Sequence, residues 1–336
     1  MSTYFFETTP TERQYLERNF LDEDLHFCPE PLTSAWQAER LAGKADIVSV
    51  FVHSKVMADI IDALPDLKMI ATRSTAADQI NLPVAASRGI AVCNVPTYGE
   101  NTVAEHTFAL ILALSRNIHK AYLRTMQGDF SVAGLQGFDL KGRTLGIVGT
   151  GHIGMHVARI ARGFEMDVLA YDPRPNQAIA DVLGIKYTNL DDLLQRSDIV
   201  TLHAELTPQS QHLIGEHNIH RFKHGAVLIN TARGELVDTR ALLKALDERR
   251  LGGAGLDVLE GEGEVSEEAL LGDGESVSRE ALQTALRNQA LLHRQDLVVT
   301  PHIAFDSREA IHRILNTTID NIRAFRHGSP RNLVQP

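Results

Sequence analysis

The sequence predicts an α/β chain of two domains, each a parallel β-sheet with helices packed on it. Three observations carry that expectation. At 336 residues the chain is about twice the common domain size of roughly 150, so it can bury more than one core. Short apolar runs alternate with helical patterns, the rhythm of strand, crossover helix and parallel strand. That rhythm occurs twice, once before residue 100 and again after residue 140. A composition of 43% hydrophobic and 23% charged residues is that of a folded globular chain rather than a disordered or fibrous one.

Taken in order, the first strands are TYFFE, DIVSVFV, LKMIATR and IAVCNV, with MADIIDALP and LPVAASRG as helices between them. Next comes ENTVAEHTFALILALSRNIHKAYLRTMQG, 29 residues without proline and with glycine only at the end, long enough to bridge two domains as one helix. The second set of strands is RTLGIVG, MDVLAYD, SDIVTLH, GAVLIN, GAGLDV and DLVVTP, separated by helices such as GHIGMHVARIARGFE and TRALLKALDERR. Residues 260 to 290 are rich in glutamate, serine and glycine and read as a surface excursion holding one helix, VSREALQTALRNQALLH. The last helix, REAIHRILNTTIDNIRAFRHG, carries Ile311, Ile314, Leu315, Ile319 and Ile322 on one face, so it must dock on a core. Docking on the first domain makes the chain cross between domains twice. The expected division is 1–99 with 304–336, and 100–303.

Charge and cysteine content exclude several classes of function. The net charge is -10 and no basic run occurs, so nucleic acid and anionic membranes are repelled on average. Small molecules are the expected partners. Cys28 and Cys93 are the two cysteines, each in an apolar stretch, which suits a reducing compartment with thiols acting as small core hydrophobes. The sequence MSTYFFETTPTERQ lacks the pattern of a signal peptide, and no long uncharged stretch occurs, so a cytoplasmic protein is expected. No metal site is expected.

In LGIVGTGHIG, Gly149, Gly151 and Gly154 fit G-x-G-x-x-G between a strand and a helix. Glycines there allow a tight turn, close approach of the backbone to a pyrophosphate and close helix packing, while the helix N-terminus attracts the anion. The next strand ends in Asp172, 18 residues after Gly154, where a carboxylate accepts from ribose hydroxyls and repels a 2′-phosphate. NAD is therefore expected over NADP, with Arg174 as a partial offset. Three further strand ends carry reactive groups. Arg233 follows VLIN, Asp257 and Glu262 follow GAGL, and His302 follows VVTP. In a parallel sheet the carboxyl ends of strands line the ligand crevice, so these groups are expected on the same edge as the glycine turn.

The segments GIVGTGHIG…YDP, NTARGELVD, GAGLDVLEGE and VVTPHIAF resemble the signature segments of the D-isomer-specific 2-hydroxyacid dehydrogenases. VCNVPTYGENTVAEHTFALILALSRN resembles that family's interdomain helix and the loop before it, so the likeness covers most of the chain. PHIAF with the EGE segment is closer to the D-lactate dehydrogenase-like branch than to the glycerate branches. The resemblance implies two Rossmann-like domains, one flavodoxin-like and one NAD-binding, with a cleft between them and hinges near Tyr98 to Asn101 and Ile303 to Asp306. It implies reversible hydride transfer between NADH and a small 2-oxo acid. Arg233 is then the substrate-binding arginine, His302 the acid/base, and Glu262 its paired carboxylate, with Glu260 a near neighbour. Cofactor contacts are implied for Gly149, Gly151, His152, Ile153, Gly154, Asp172, His203, Ala204, Thr231, Ala232, Arg233 and Asp257, the last holding the nicotinamide carboxamide. A guanidinium matches a 2-oxo acid, a planar anion, with two donors.

The substrate pocket implied by the likeness holds His53, Ser74, Thr75, Ala76, Tyr98 and Phe305. Several of these positions depart from the family. STAADQIN, residues 74 to 81, stands where the family reads S-x-G-x-D-x-I-D. Ala76 thus replaces a glycine, which crowds the loop or alters its dihedrals, and Asn81 replaces an aspartate. His53 stands where D-lactate dehydrogenase-like members often place a tyrosine, and Asp306 follows Phe305, which makes the pocket more polar. The family also implies a homodimer built on the helix after Asn101. Two other readings share the fold: a phosphite-type dehydrogenase, and an NAD-sensing binding protein like the corepressors that resemble the family.

Overall fold

Short, mostly apolar runs of the first hundred residues form strands in the computed structural model, which describes residues 1–21, 23–262 and 278–335. These strands are β1 (Thr3–Phe5), β2 (Leu25–Phe27), β3 (Ile47–Val50), β4 (Met69–Thr72) and β5 (Ala91–Cys93). All pair in parallel, in the order β2-β1-β3-β4-β5. Every residue of β3 and β4 is buried, as two covered faces require of inner parallel strands. The helix Arg308–Arg326 supplies part of that cover, with Leu315, Ile319 and Ile322 packed among Phe5, Ile47, Met69 and Cys93. Together Met1–Tyr98 and Ser307–Pro336 form one compact unit.

The other unit, Gly99–Asp306, is built on seven parallel strands. They are β6 (Thr144–Val148), β7 (Asp167–Tyr171), β8 (Ile185–Tyr187), β9 (Ile199–Leu202), β10 (Ala226–Asn230), β11 (Leu251–Leu256) and β12 (Leu297–Val299). Their order across the sheet is β12-β11-β10-β9-β6-β7-β8. Both faces of this sheet are apolar. One packs Phe108, Ile111, Val157 and Ala161 against Ile147 and Ile229, and the other packs Leu193, Leu242 and Leu246 against Leu202 and Leu228.

Two expectations are corrected. The 29-residue stretch is not one helix: it divides into Glu100–Ser115 and Ile118–Met126, with Asn117 in the left-handed region at φ 50°. The cause is a distant segment, because the Phe138 amide takes the Ser115 carbonyl at 2.9 Å and the Asn117 side chain donates to the Leu135 and Gln136 carbonyls. Secondly, the chain returns to the first unit after Asp306 rather than after residue 303, since Ile303 and Ala304 donate their amides to the Asp257 carboxylate at 3.0 and 2.8 Å. Within the expected excursion the helix covers Arg279–Leu292, capped by Ser278. Residues 263–277 of that excursion lie outside the described residues. Among the described residues no helix is long and apolar enough to cross a membrane.

Candidate active site

The order of strands sets the order of chemistry along one edge of the larger sheet. Because β12, β11, β10, β9, β6 and β7 are consecutive neighbours and parallel, their carboxyl ends lie side by side. The residues that follow them are, in the same order, His302, then Asp257 with Glu262, Arg233, His203, the glycine turn and Asp172. Residues spread over 150 positions in the chain thus share one edge, as ligand sites of open parallel sheets do.

At the glycine turn, the backbone of Gly149 has φ 93°, a conformation that side chains resist. A Cβ there would lie 2.6 Å from the His203 carbonyl carbon, and a Cβ on Gly154 would lie 2.1 Å from the Gly149 carbonyl oxygen. The first contact brings the His203–Ala204 backbone against the turn, and the second brings the helix His152–Gly163 down onto β6. Gly151 caps that helix, and a Cβ there would meet nothing within 4 Å, so the helix N-terminus stays accessible, with His152 exposed and Ile153 half-buried. Asp172 braces the turn: one carboxylate oxygen accepts from the Thr150 amide (2.7 Å) and hydroxyl (3.0 Å), the other from the Arg174 amide (2.8 Å). Tyr187, at the end of β8, bonds the Thr150 hydroxyl at 2.8 Å. Burial pushes the His203 imidazole down to about 3, so it is neutral. Its Nε2 meets the Thr201 hydroxyl at 2.9 Å, and its buried Nδ1 has no hydrogen-bond partner among the described residues.

At the other end of the edge, His302 Nδ1 lies 2.5 Å from Glu262 Oε1. Glu260 is engaged elsewhere, with His212. His302 itself is in the left-handed region at φ 53°, and its amide donates to the Asp257 carbonyl at 2.8 Å. The Asp257 carboxylate, 1% exposed, accepts from the Thr300 hydroxyl (2.5 Å) and from the Ile303 and Ala304 amides. His106, on the helix Glu100–Ser115, places Nε2 3.4 Å from it and 3.0 Å from the Thr300 hydroxyl. Burial pushes this carboxyl up, but the bonds from His106, Thr300 and the two amides outweigh it and hold the group below the usual carboxylate range. Asp257, read from the sequence as a cofactor contact, therefore also fixes the loop that bears His302. His106 carried no signal in the sequence, because nothing local shows that a helix residue faces a strand end far along the chain.

Arg233 is half-buried, and its guanidinium donates to the Ala232 carbonyl at 2.8 Å. The Asn230 side chain holds the turn by donating to the Arg233 carbonyl (2.7 Å) and accepting from the Ala232 amide (3.1 Å), while the Thr231 and Thr107 hydroxyls meet at 3.0 Å. The Phe305 ring stands edge-on to His302 with centroids 6.4 Å apart. The other expected pocket residues, His53, Ser74, Thr75, Ala76 and Tyr98, belong to the smaller unit. Glu7 accepts from the amides of Phe51, His53 and Ser54. The Ser74 hydroxyl meets the Thr72 hydroxyl and the Ala76 carbonyl, both at 2.6 Å, the Thr75 hydroxyl donates to Val95, and the Tyr98 carbonyl accepts from Arg313. Ala76 is not in the left-handed region, so its dihedrals do not require the family's glycine. Asn81 caps the helix Leu82–Ser87 through the Val84 amide, a role that asparagine and aspartate fill equally well.

Comparison with known proteins decides what this edge serves. The NAD-binding domain of the D-isomer-specific 2-hydroxyacid dehydrogenases matches residues 108–304, more than half of the chain. The chain belongs to the D-isomer-specific 2-hydroxyacid dehydrogenases. It is 36% identical to a 2-hydroxyacid dehydrogenase homologue of Haemophilus influenzae, with 100% of both chains covered. It is 33% identical to the D-lactate dehydrogenase of Escherichia coli over 99% of this chain and 100% of that one. The structure of D-lactate dehydrogenase from Aquifex aeolicus complexed with NAD and lactic acid superposes with a TM-score of 0.86 at 32% identity, covering 98% of this chain and 96% of that one. This D-2-hydroxyacid dehydrogenase is thus an NAD-dependent oxidoreductase acting on the CH–OH group, with a two-domain Rossmann-like fold. The glycine turn, the accessible helix N-terminus, the Asp172 carboxylate and the unpartnered His203 nitrogen suit a dinucleotide. The reading as a binding protein without catalysis is set aside.

Proposed function

We propose that this dehydrogenase reduces a small 2-oxo acid to a D-2-hydroxy acid with a product like D-lactate, and runs the same step in reverse. The observation that carries the reading is the His302–Glu262 pair at 2.5 Å on the sheet edge that also bears Arg233. Arg233 orients the substrate by pairing its guanidinium with the carboxylate and carbonyl oxygens. NADH, when bound, supplies the hydride to the carbonyl carbon. With Nδ1 committed to Glu262, the proton that His302 delivers to the carbonyl oxygen is the one on Nε2, and the imidazole is left neutral. Glu262 orients the imidazole by holding its Nδ1, so that Nε2 faces outward to the substrate. His53, Ser74, Thr75, Ala76, Tyr98 and Phe305 shape the substrate pocket, and Gly149 to Gly154, Asp172, His203, Ala204 and Thr231 to Arg233 hold the cofactor.

The same reading includes a homodimer and a cytoplasmic location. Ile118, Tyr122, Leu123 and Met126 are 53 to 68% exposed and share one face of the helix Ile118–Met126 by their spacing. Phe130 and Val132, in the loop that follows this helix, are 80 and 83% exposed. So large an apolar stripe favours burial against a second copy, and light scattering that gives a monomer at micromolar concentration removes the dimer. Both cysteines are free thiols, which suits a reducing compartment. The activity is tested by following NADH at 340 nm with a panel of 2-oxo acids graded by side-chain size. Consumption with the smaller members is expected, and no consumption with any member overturns the reading.

A further inference from the structure

Glu260 and Glu262 lie two residues apart on one turn, yet only Glu262 reaches His302. The turn is short and closed on itself: the Glu262 amide donates to the Leu259 carbonyl at 3.1 Å, and Glu262 Oε2 accepts from the Leu259 amide at 3.1 Å. Nothing in that local pattern sets where the turn sits. Its position comes from Glu260. One oxygen of that carboxylate lies 2.5 Å from His212 Nε2, and the other accepts from the Thr239 amide at 3.0 Å, in the first turn of the helix Thr239–Asp247. The Glu260 carbonyl takes a further bond of 2.9 Å from the Asn288 side chain.

The same turn is pressed against the segment that follows Arg233. A Cβ on Gly234 would stand 2.1 Å from the Leu259 carbonyl carbon and 2.4 Å from the Glu260 nitrogen, so the two backbones touch. Glu235 clasps the other side, its carbonyl accepting from the His212 amide at 2.8 Å and its carboxylate from the Gly261 amide at 3.4 Å. Arg233 and Glu262 are therefore held in register by one clamp, with His212, Glu235 and Glu260 as its jaws.

We propose that the Glu260–His212 pair is a positioning device for the acid/base couple: it seats the Leu259–Glu262 turn so that Glu262 faces His302, and it keeps Glu260 from competing for the same imidazole. The inference rests on the proposed pairing of Glu262 with His302. Neither Glu260 nor His212 touches the substrate in this account. Loosening the clamp misplaces Glu262, and misplacement on the order of 1 Å lowers turnover by roughly ten- to a hundredfold with little change in KM for the 2-oxo acid or in NADH affinity.

The test is a double-mutant cycle in the whole enzyme, measuring kcat, KM and NADH binding for Glu260→Ala, Glu262→Gln and the two together. If Glu260 acts through Glu262, Glu260→Ala lowers kcat at least tenfold in the native background and adds no more than about twofold to Glu262→Gln. His212→Gln, which retains a side-chain donor, restores most of the turnover that His212→Ala loses. Multiplicative losses in the cycle overturn the inference, and so does an unchanged kcat in Glu260→Ala. Should Glu260→Ala fail to fold, as judged by its thermal transition, the cycle is run with His212→Ala in its place and read by the same criteria. If Glu262→Gln alone leaves kcat unchanged, the pairing with His302 is what fails; if it slows turnover while Glu260→Ala does not, the positioning device alone is lost.

Discussion

Replacing Asp257 with asparagine tests whether one buried carboxylate holds the loop that carries His302. The carboxylate is 1% exposed and takes three hydrogen bonds on one oxygen's side and the other, from Thr300 at 2.5 Å, Ile303 at 3.0 Å and Ala304 at 2.8 Å, with His106 Nε2 at 3.4 Å. Asparagine keeps the volume but turns one acceptor into a donor. If its oxygen faces Thr300 and Ile303, its NH2 faces the Ala304 amide, and two buried donors then oppose each other. A hydrogen bond to a charged group is worth about 1.5–3 kcal/mol, and leaving a buried donor unsatisfied costs about as much. Relief from burying a charge offsets part of this, leaving a net loss of about 3 kcal/mol. For a unit of this size a loss of 1 kcal/mol lowers Tm by about 2–4 °C, so Tm falls by about 6–12 °C at pH 7. The folded-state value of this carboxyl is depressed. Its contribution is therefore complete above the unfolded value of about 3.9 and is lost as pH falls through the lower folded value. The gap between native and variant should stay constant from pH 8 to about pH 5 and close in stronger acid. Turnover should fall as well, because the left-handed backbone of His302 depends on this loop. Calorimetry at pH 7 and in acid, paired with initial rates, makes the check. A Tm within about 1 °C of native with normal turnover would refute the argument.

Three shorter predictions follow from the same edge. Gly154→Ala drives a methyl into the Gly149 carbonyl, 2.1 Å away, so the helix must lift from β6; a loss of about 1–3 kcal/mol and weaker NADH binding are expected, and a fluorescence titration matching the native enzyme counts against it. Asp172→Ala removes both the charge proposed to face the ribose and the brace on Thr150, so the ratio of NADH to NADPH efficiency should narrow; equal use of both cofactors by the native enzyme would mean that Arg174 outweighs the aspartate. Glu262→Gln keeps a hydrogen-bonding group beside His302 but removes the carboxylate that holds Nδ1, so kcat for 2-oxo acid reduction should fall at least about tenfold with little change in NADH affinity, and an unchanged kcat rejects the coupling.

How much of this was legible depended on whether the cause was local. The inner strands β3, β4, β6, β9 and β10 announce themselves as apolar runs because both their faces are covered. The edge strands β2 and β8 did not, since each is three residues long with an exposed polar residue, His26 or Lys186, at its centre, which breaks the apolar run. The split at Asn117 was invisible because the group that ends the helix, the Phe138 amide, comes from a later loop. By itself the sequence determined the alternation that makes a parallel α/β chain, the glycine turn with Asp172, and the reactive residues placed at strand ends, because these depend on the chemistry of a few adjacent positions. Only the tertiary structure decided what each of the two neighbouring carboxylates touches, Glu262 with His302 and Glu260 with His212. The likeness to the family already pointed to Glu262, but nothing local keeps Glu260 away from His302; that falls to His212, nearly fifty residues earlier in the chain, brought to Glu260 by the folding of the sheet. It likewise gave Asp257 its hold on the His302 loop, because a carboxylate's partners are fixed by what the strand order places beside it.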